Sequence, residues 1–205
     1  MDIELQSGAH YNDLIINHMT LDGGSIDNCQ FFDCTFKGCS WVQTTIRNCT
    51  FNSCTFIDCD LSLLGIPQSI FSAVSFQDCK LVGVNWTLAN WSSSRLGVPI
   101  TFDKCAISHS TFIGLSLPEI QITNCVAENV DFRDADLTQV DFSGTDLVDS
   151  LFLNTQLTSA DLRRARNYNI APDKNLLKGT RFSLPEALAL LYNLDIILDE
   201  HPSGI

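Results

Sequence analysis

Residues 28–41 read NCQFFDCTFKGCSW, with cysteines at 29, 34 and 39 and large aromatics at 31, 36 and 41. Both series advance by five, a period that neither an α-helix nor a flat strand produces. The same period runs through most of the chain. From Tyr11 every fifth residue is large and apolar as far as Leu96, through Phe31, Phe51, Phe71 and Trp91 among others. The next step lands on Thr101, and the series resumes one residue later at Phe102 and continues to Leu162, with Ala127 as its one small member.

Calling these positions i, the i−2 positions are also restricted. They hold Cys, Ser, Thr, Ala, Val, Leu or Ile, and all nine cysteines sit there. The other three residues of each five are mostly polar. Two inward and three outward positions per five residues describe a coil with flat sides and tight corners, whose turns stack as parallel strands about 4.8 Å apart. The period leaves the number of sides open. Cysteine suits i−2 because it is small and readily buried. Successive cysteines face different sides of such a coil, unlike the short convergent pairs of zinc sites, so the pattern predicts packing and no metal or other cofactor.

The five-residue motif resembles that of the pentapeptide repeat family, with good local matches at ADLTQ (135–139), VDFSG (140–144), TDLVD (145–149) and ADLRR (160–164). The resemblance implies an all-β solenoid: a right-handed quadrilateral β-helix of seven to eight coils, with about twenty residues per turn. It covers residues 11–165, leaving 1–10 as an N-terminal cap. On four sides Cys39, Cys59 and Cys79 stack, as do Cys29 with Cys49 and Cys34 with Cys54.

Two regions depart from the pattern. Trp86 and Trp91 occupy successive i positions just before the phase shift, read as a one-residue slip in RLGVPI. Gly97 and Pro99 suit a distorted corner there. Either the rod has a compensated flaw, or Trp86, Trp91, Arg95, Gly97 and Pro99 form an exposed contact bulge. The second region is 166–205, read as linker, helix and tail. Ser183 as N-cap, Pro185 in the first turn and Glu186 completing a capping box predict a helix over 184–192. Apolar stripes on two sides of that helix predict burial on two sides. One would cap the rod. The other, with Leu184, Leu188, Leu190, Leu191, Leu194, Ile196 and Ile197, would join a second subunit about a two-fold axis. The alternative is that the whole segment folds onto its own chain.

RFSLPEALALLYNLDI resembles the capping helix of the topoisomerase-protecting pentapeptide repeat proteins, the Qnr, MfpA and McbG types. LSLLGIPQSIF and LVGVNWTLANW look most like the albicidin-resistance members. That likeness implies a DNA mimic that binds DNA gyrase or topoisomerase IV and relieves inhibitor poisoning. The long loops of some Qnr proteins have no counterpart beyond the single-residue slip, so a mechanism dependent on them does not carry over.

Charge bears on this reading. The net charge is −12 and the pI about 4.4, which argues against direct nucleic-acid binding. Residues 1–162 hold 19 acids and 6 bases, whereas 163–181 hold six bases and one acid. Acids concentrate late in the coil at Glu128, Asp131, Asp134, Asp136, Asp141, Asp146 and Asp149, with Asp161 stacked on Asp141. On a four-sided coil they form a girdle. It either mimics nucleic acid toward a basic protein surface or serves solubility. A general interaction scaffold or effector is the competing class. His10, His18, His109 and His201 are scattered and no catalytic constellation is legible, so no enzymatic activity is expected. With no apolar run long enough to cross a membrane and no secretory signature, the chain reads as cytoplasmic with reduced thiols.

Overall fold

The computed structural model describes residues 5–91, 98, 100–194 and 196. Arg95, Gly97, Pro99 and Ile197 lie outside the described residues. The chain winds into a β-solenoid of about eight turns, ending in one short helix. Each five residues form one wall, and among the described residues from Tyr11 to Leu162 residue i points inward.

Strands His10–Asn12, Gln30–Phe32, Thr50–Asn52 and Ile70–Ser72 make a four-stranded parallel sheet on the first wall. The second wall carries six, from Ile15–Asn17 through Thr35–Lys37, Thr55–Ile57, Val74–Gln77 and Ile100–Asp103 to Gln121–Thr123. The third wall, with Trp41, Leu61 and Leu81 inside, and most of the fourth, with Ile46, Ile66 and Trp86 inside, are held by single parallel bridges.

In-register stacking places like on like. Tyr11, Phe31, Phe51 and Phe71 stack at 4.8–5.5 Å between centroids, and Phe36, Phe56, Phe76 and Phe102 at 4.5–5.3 Å. Each buried ring adds roughly 1.5–3 kcal/mol through area burial alone. The corners turn at i+2, where almost every residue has a positive φ, including Asn48 (52°), Asp58 (53°), Asp134 (60°) and Asp149 (55°). Gly, Asn and Asp tolerate that region best, which explains their frequency there. Gly144 is needed on a second count: a Cβ would lie 2.6 Å from Asn124 Oδ1 on the coil before.

The i−2 side chains do more than fill space. Thr145 Oγ1 accepts from Cys125 N (3.2 Å) and donates to Ile122 O (2.6 Å) on the preceding coil. Ser69 does the same for Cys49 N (3.0 Å) and Ile46 O (2.8 Å), and Ser150 for Val130 N (3.1 Å) and Ala127 O (2.6 Å). A Cys, Ser or Thr at i−2 thus satisfies backbone groups that point into the rod. Left unpaired, such groups are costly. The third wall continues this ladder through Cys39, Cys59, Cys79, Cys105 and Cys125 to Thr145, two cysteines beyond the stack expected from sequence. The thiols are buried and free. Burial pushes Cys54 up to about 12, and the Cys125 thiol together with burial does the same for Cys105.

Three sequence expectations need correction. The phase shift is not a one-residue slip. Elsewhere coils pair at an offset of twenty, but Phe76 pairs with Phe102, Lys80 with Ala106 and Asn85 with Thr111. Asn90 N still donates to Ser69 O, so the stretch between Trp91 and Ile100 holds six residues more than a turn requires. One and six differ by a whole repeat and give the same phase. Second, the stretch after 165 is no linker. Gln156 pairs with Leu176 and Asp161–Leu162 with Arg181–Phe182, while Tyr168 takes the inward place of Asn167, and Ile170 is buried beside it. Third, the capping box is absent. Ser183 Oγ accepts from Arg164 N (3.2 Å), and the terminal segment is a 3₁₀ turn, Glu186–Leu188, running into Ala189–Tyr192 without a side-chain cap. Ser183 follows the last strand, so its hydroxyl faces the coil before it.

Replacing Phe76 with Ala should cost about 3–5 kcal/mol in denaturant unfolding, because the stack above and below it cannot collapse. A wild-type melting curve would place that ring outside the core. Thr145→Val keeps the shape but strands Cys125 N and Ile122 O, a loss of about 1–3 kcal/mol per group, whereas Thr145→Ser should stay near wild type. If the two variants unfold alike, the hydroxyl ladder contributes nothing.

Candidate protein-binding surface

The acids of the girdle fall on all four walls. Asp131 stacks on Thr111 on the fourth wall, Asp136 on Ser116 on the first, Asp141 and Asp161 in one column on the second, and Asp146 on Val126 on the third. All five occupy i−1. There each carboxylate accepts the backbone N–H two residues on: Arg133 for Asp131 (3.1 Å), Thr138 for Asp136 (3.1 Å), Ser143 for Asp141 (2.8 Å), Val148 for Asp146 (3.4 Å) and Arg163 for Asp161 (3.0 Å). The residue between points inward, so positions i−1 and i+1 lie side by side on the wall. Asp is favoured at i−1 for this local bond as well as for its charge.

The girdle is partly neutralised from within. Arg133 pairs with Asp131 (2.7 Å), Arg163 with Asp161, and Arg166 with Asp146 from the next coil (2.9 Å). Arg133 and Arg163 hold their aspartates below the usual carboxylate range. Burial pushes the Asp146 carboxyl up, but hydrogen bonds from Asn167 and Arg166 outweigh it and the net direction is down. Among the described residues, Glu128, Asp134, Asp136, Asp141 and Asp149 have no cation within 4 Å. These carry the negative field outward. The DFR and DLR pairs, 131–133 and 161–163, were readable once i was known to point inward. The Asp146–Arg166 pair needed the coil length.

The aromatic bulge resolves differently. Trp86 is fully buried, stacks on Phe112 at 5.8 Å, and meets the edges of Phe71, Phe76 and Phe102. It is a core residue, not a contact residue. Trp91 is partly buried, its indole N–H donating to Trp86 O (2.9 Å). Sequence inspection could not orient these rings, because both lie where the coil ceases to be regular.

At the C-terminal end, Ala189 and Leu190 pack on the core. Leu191 is half-buried, while Leu184, Leu188, Tyr192, Leu194 and Ile196 are exposed, Leu184 by 78%. Asn193 Nδ2 ties the helix to Asn169 Oδ1 (2.9 Å). Among the described residues no cluster of His, Cys, Asp and Glu could hold a metal ion, and no helix is long and apolar enough to cross a membrane.

This architecture is found in solved structures. A trypsin-treated form of QnrB1, described as a plasmid-mediated fluoroquinolone resistance protein, matches with a TM-score of 0.70 at 17% identity, covering 95% of this chain and 99% of that one. Full-length QnrB1 matches at 0.54 and 17%, covering 93% and 92%. HetL, a pentapeptide repeat protein involved in heterocyst differentiation regulation from the cyanobacterium Nostoc, matches at 0.55 and 14%, covering 84% and 87%. At these identities the likeness is one of fold. No curated protein matches the chain in sequence. Residues 29–99 match the family described as pentapeptide repeat region, and 116–154 and 135–166 match pentapeptide repeats. With the five-residue period, the four-walled coil and these matches in agreement, the chain belongs to the pentapeptide repeat family.

Proposed function

We propose that this protein is a non-enzymatic DNA mimic that occupies the DNA-binding surface of a type II topoisomerase, DNA gyrase or topoisomerase IV, and protects it from inhibitors. It acts in the cytoplasm as a homodimer joined through the C-terminal ends. The observation that carries the reading is the set of carboxylates without cations on a backbone-stiffened rod. DNA presents one negative charge per about 1.7 Å of axis. The rod offers carboxylates at fixed heights set by the coil spacing of about 4.8 Å. The shared architecture with QnrB1 supports the same direction. The motifs LSLLGIPQSIF and LVGVNWTLANW favour albicidin as the inhibitor countered. A second reading, an interaction scaffold with no topoisomerase role, is favoured by the comparable fold of HetL.

The C-terminal dimer rests on the exposed apolar residues Leu188 and Tyr192 of the terminal helical segment and Leu184, Leu194 and Ile196 flanking it, while Ala189 and Leu190 of the same segment cover the core. Such a surface at the end of a solenoid is normally covered, since an open end exposes core and strand edges.

Asp136→Asn with Asp141→Asn keeps the local backbone bonds and removes two charges. Binding to gyrase should weaken by about 1 kcal/mol per carboxylate, roughly fivefold each, with a shallower salt dependence. Asp131→Asn, whose charge Arg133 already offsets, should change binding less. Protection of supercoiling against an inhibitor should fall in step. Equal binding by all variants would leave the scaffold reading. In sedimentation, wild type should run as a dimer and Leu188→Asp as a monomer with unchanged circular dichroism. A monomeric wild type would reduce the helix to a cap.

A further inference from the structure

The corner that follows the third wall carries Asn129, Asp149 and Asn169 one coil apart, the first two at positive φ (56° and 55°). Asn193 reaches over from the end of the terminal helix, and an open notch of about 550 Å³ lies between them, lined also by Leu151 and Phe152. Asn193 spends its amide donors on Asn169 Oδ1 (2.9 Å) and Ala189 O (3.1 Å), which leaves its own Oδ1 as an acceptor. Asp149 makes no side-chain hydrogen bond or ion pair among the described residues, and neither does the Asn129 side chain. The notch therefore gathers acceptors: two carboxylate oxygens and the amide oxygens of Asn129 and Asn193, with up to two lone pairs each, against the amide NH2 groups of Asn129 and Asn169. Leu151, 47% exposed, supplies an apolar wall beside them.

Acceptors in excess, one net negative charge and an adjoining aliphatic surface suit a guanidinium on its methylene stem. Its planar fork donates several N–H bonds at once, and the stem covers apolar surface. We infer that this notch seats an arginine side chain of the partner protein, anchoring the rod at one end of the girdle. The inference rests on the proposed function in one respect, that the rod docks on a basic protein surface. It adds where an individual side chain of that surface is held. The wall carboxylates are half-buried and already accept backbone N–H bonds, whereas Asp149 is exposed with its oxygens unengaged, and the notch brings several such acceptors to one group. Charge-assisted bonds are about twice as strong as neutral ones.

The test uses the full chain, ¹⁵N-labelled, titrated with N-acetyl-arginine methylamide and, separately, with the neutral isostere N-acetyl-citrulline methylamide. The side-chain amide signals of Asn129, Asn169 and Asn193 should shift saturably with the arginine compound and not with citrulline. Asp149→Asn preserves the corner, because Asn accepts the same positive φ, and should weaken the arginine response by about tenfold or abolish it. Equal responses to both compounds, or an Asp149→Asn variant that titrates like wild type, would overturn the inference. Gyrase binding measured on the same variants separates the two claims. If Asp136→Asn with Asp141→Asn weakens gyrase binding and Asp149→Asn does not, the anchor is refuted while the mimic stands. If arginine fills the notch but none of the variants affects gyrase, the notch is a guanidinium site and the topoisomerase reading falls.

Discussion

Parallel hydrogen bonding between turns twenty residues apart governs the whole molecule. Backbone bonds along the rod axis join the described coils residue to residue, as between Thr35, Thr55 and Ser75. A side chain that fits one coil must then fit a column. Phe36, Phe56, Phe76 and Phe102 form one such column. The interior is too narrow for layers, and the inward side chains are the core. Backbone groups that turn inward must be met there too, which is why hydroxyls and thiols recur at i−2.

This division frees the outside. Nothing in the stacking depends on the identity of i−1 or i+1, apart from the local bond that favours Asp before the inward residue. Charge can therefore be written on the walls without disturbing the core. Here it is written unevenly. Within the girdle, arginines at 133, 163 and 166 offset three carboxylates and leave Glu128, Asp134, Asp136, Asp141 and Asp149 uncompensated. A net charge alone treats these groups as equal, but a partner meets only those left uncompensated.

The end of the rod is where the repeat must be broken on purpose. Tyr168 replaces the inward residue one place late, the last strands pair at Asp161–Leu162 and Arg181–Phe182, and the short helix lays Ala189 and Leu190 over the exposed end. The same closure leaves the exposed apolar residues and the polar notch. The features that distinguish this chain from a uniform coil are thus gathered at its C-terminal end and just before Ile100.

The period of five sufficed to assign nearly every inward residue, because burial in a solenoid is a one-dimensional property of phase; the cysteine columns and the walls on which the acids lie needed in addition the four sides that the family resemblance implies. Phase is also where sequence ran out. A shift of one and an insertion of six leave the same pattern, and only the pairing of Phe76 with Phe102 tells them apart. The orientation of Trp86, the diversion of Ser183 from its helix to Arg164, and the pairing of Arg166 with Asp146 depend on contacts between coils rather than along them. Local periodicity determined what is inside. Which outward groups meet, cancel or enclose a recess was decided by stacking, since those neighbours lie a full turn apart in the chain.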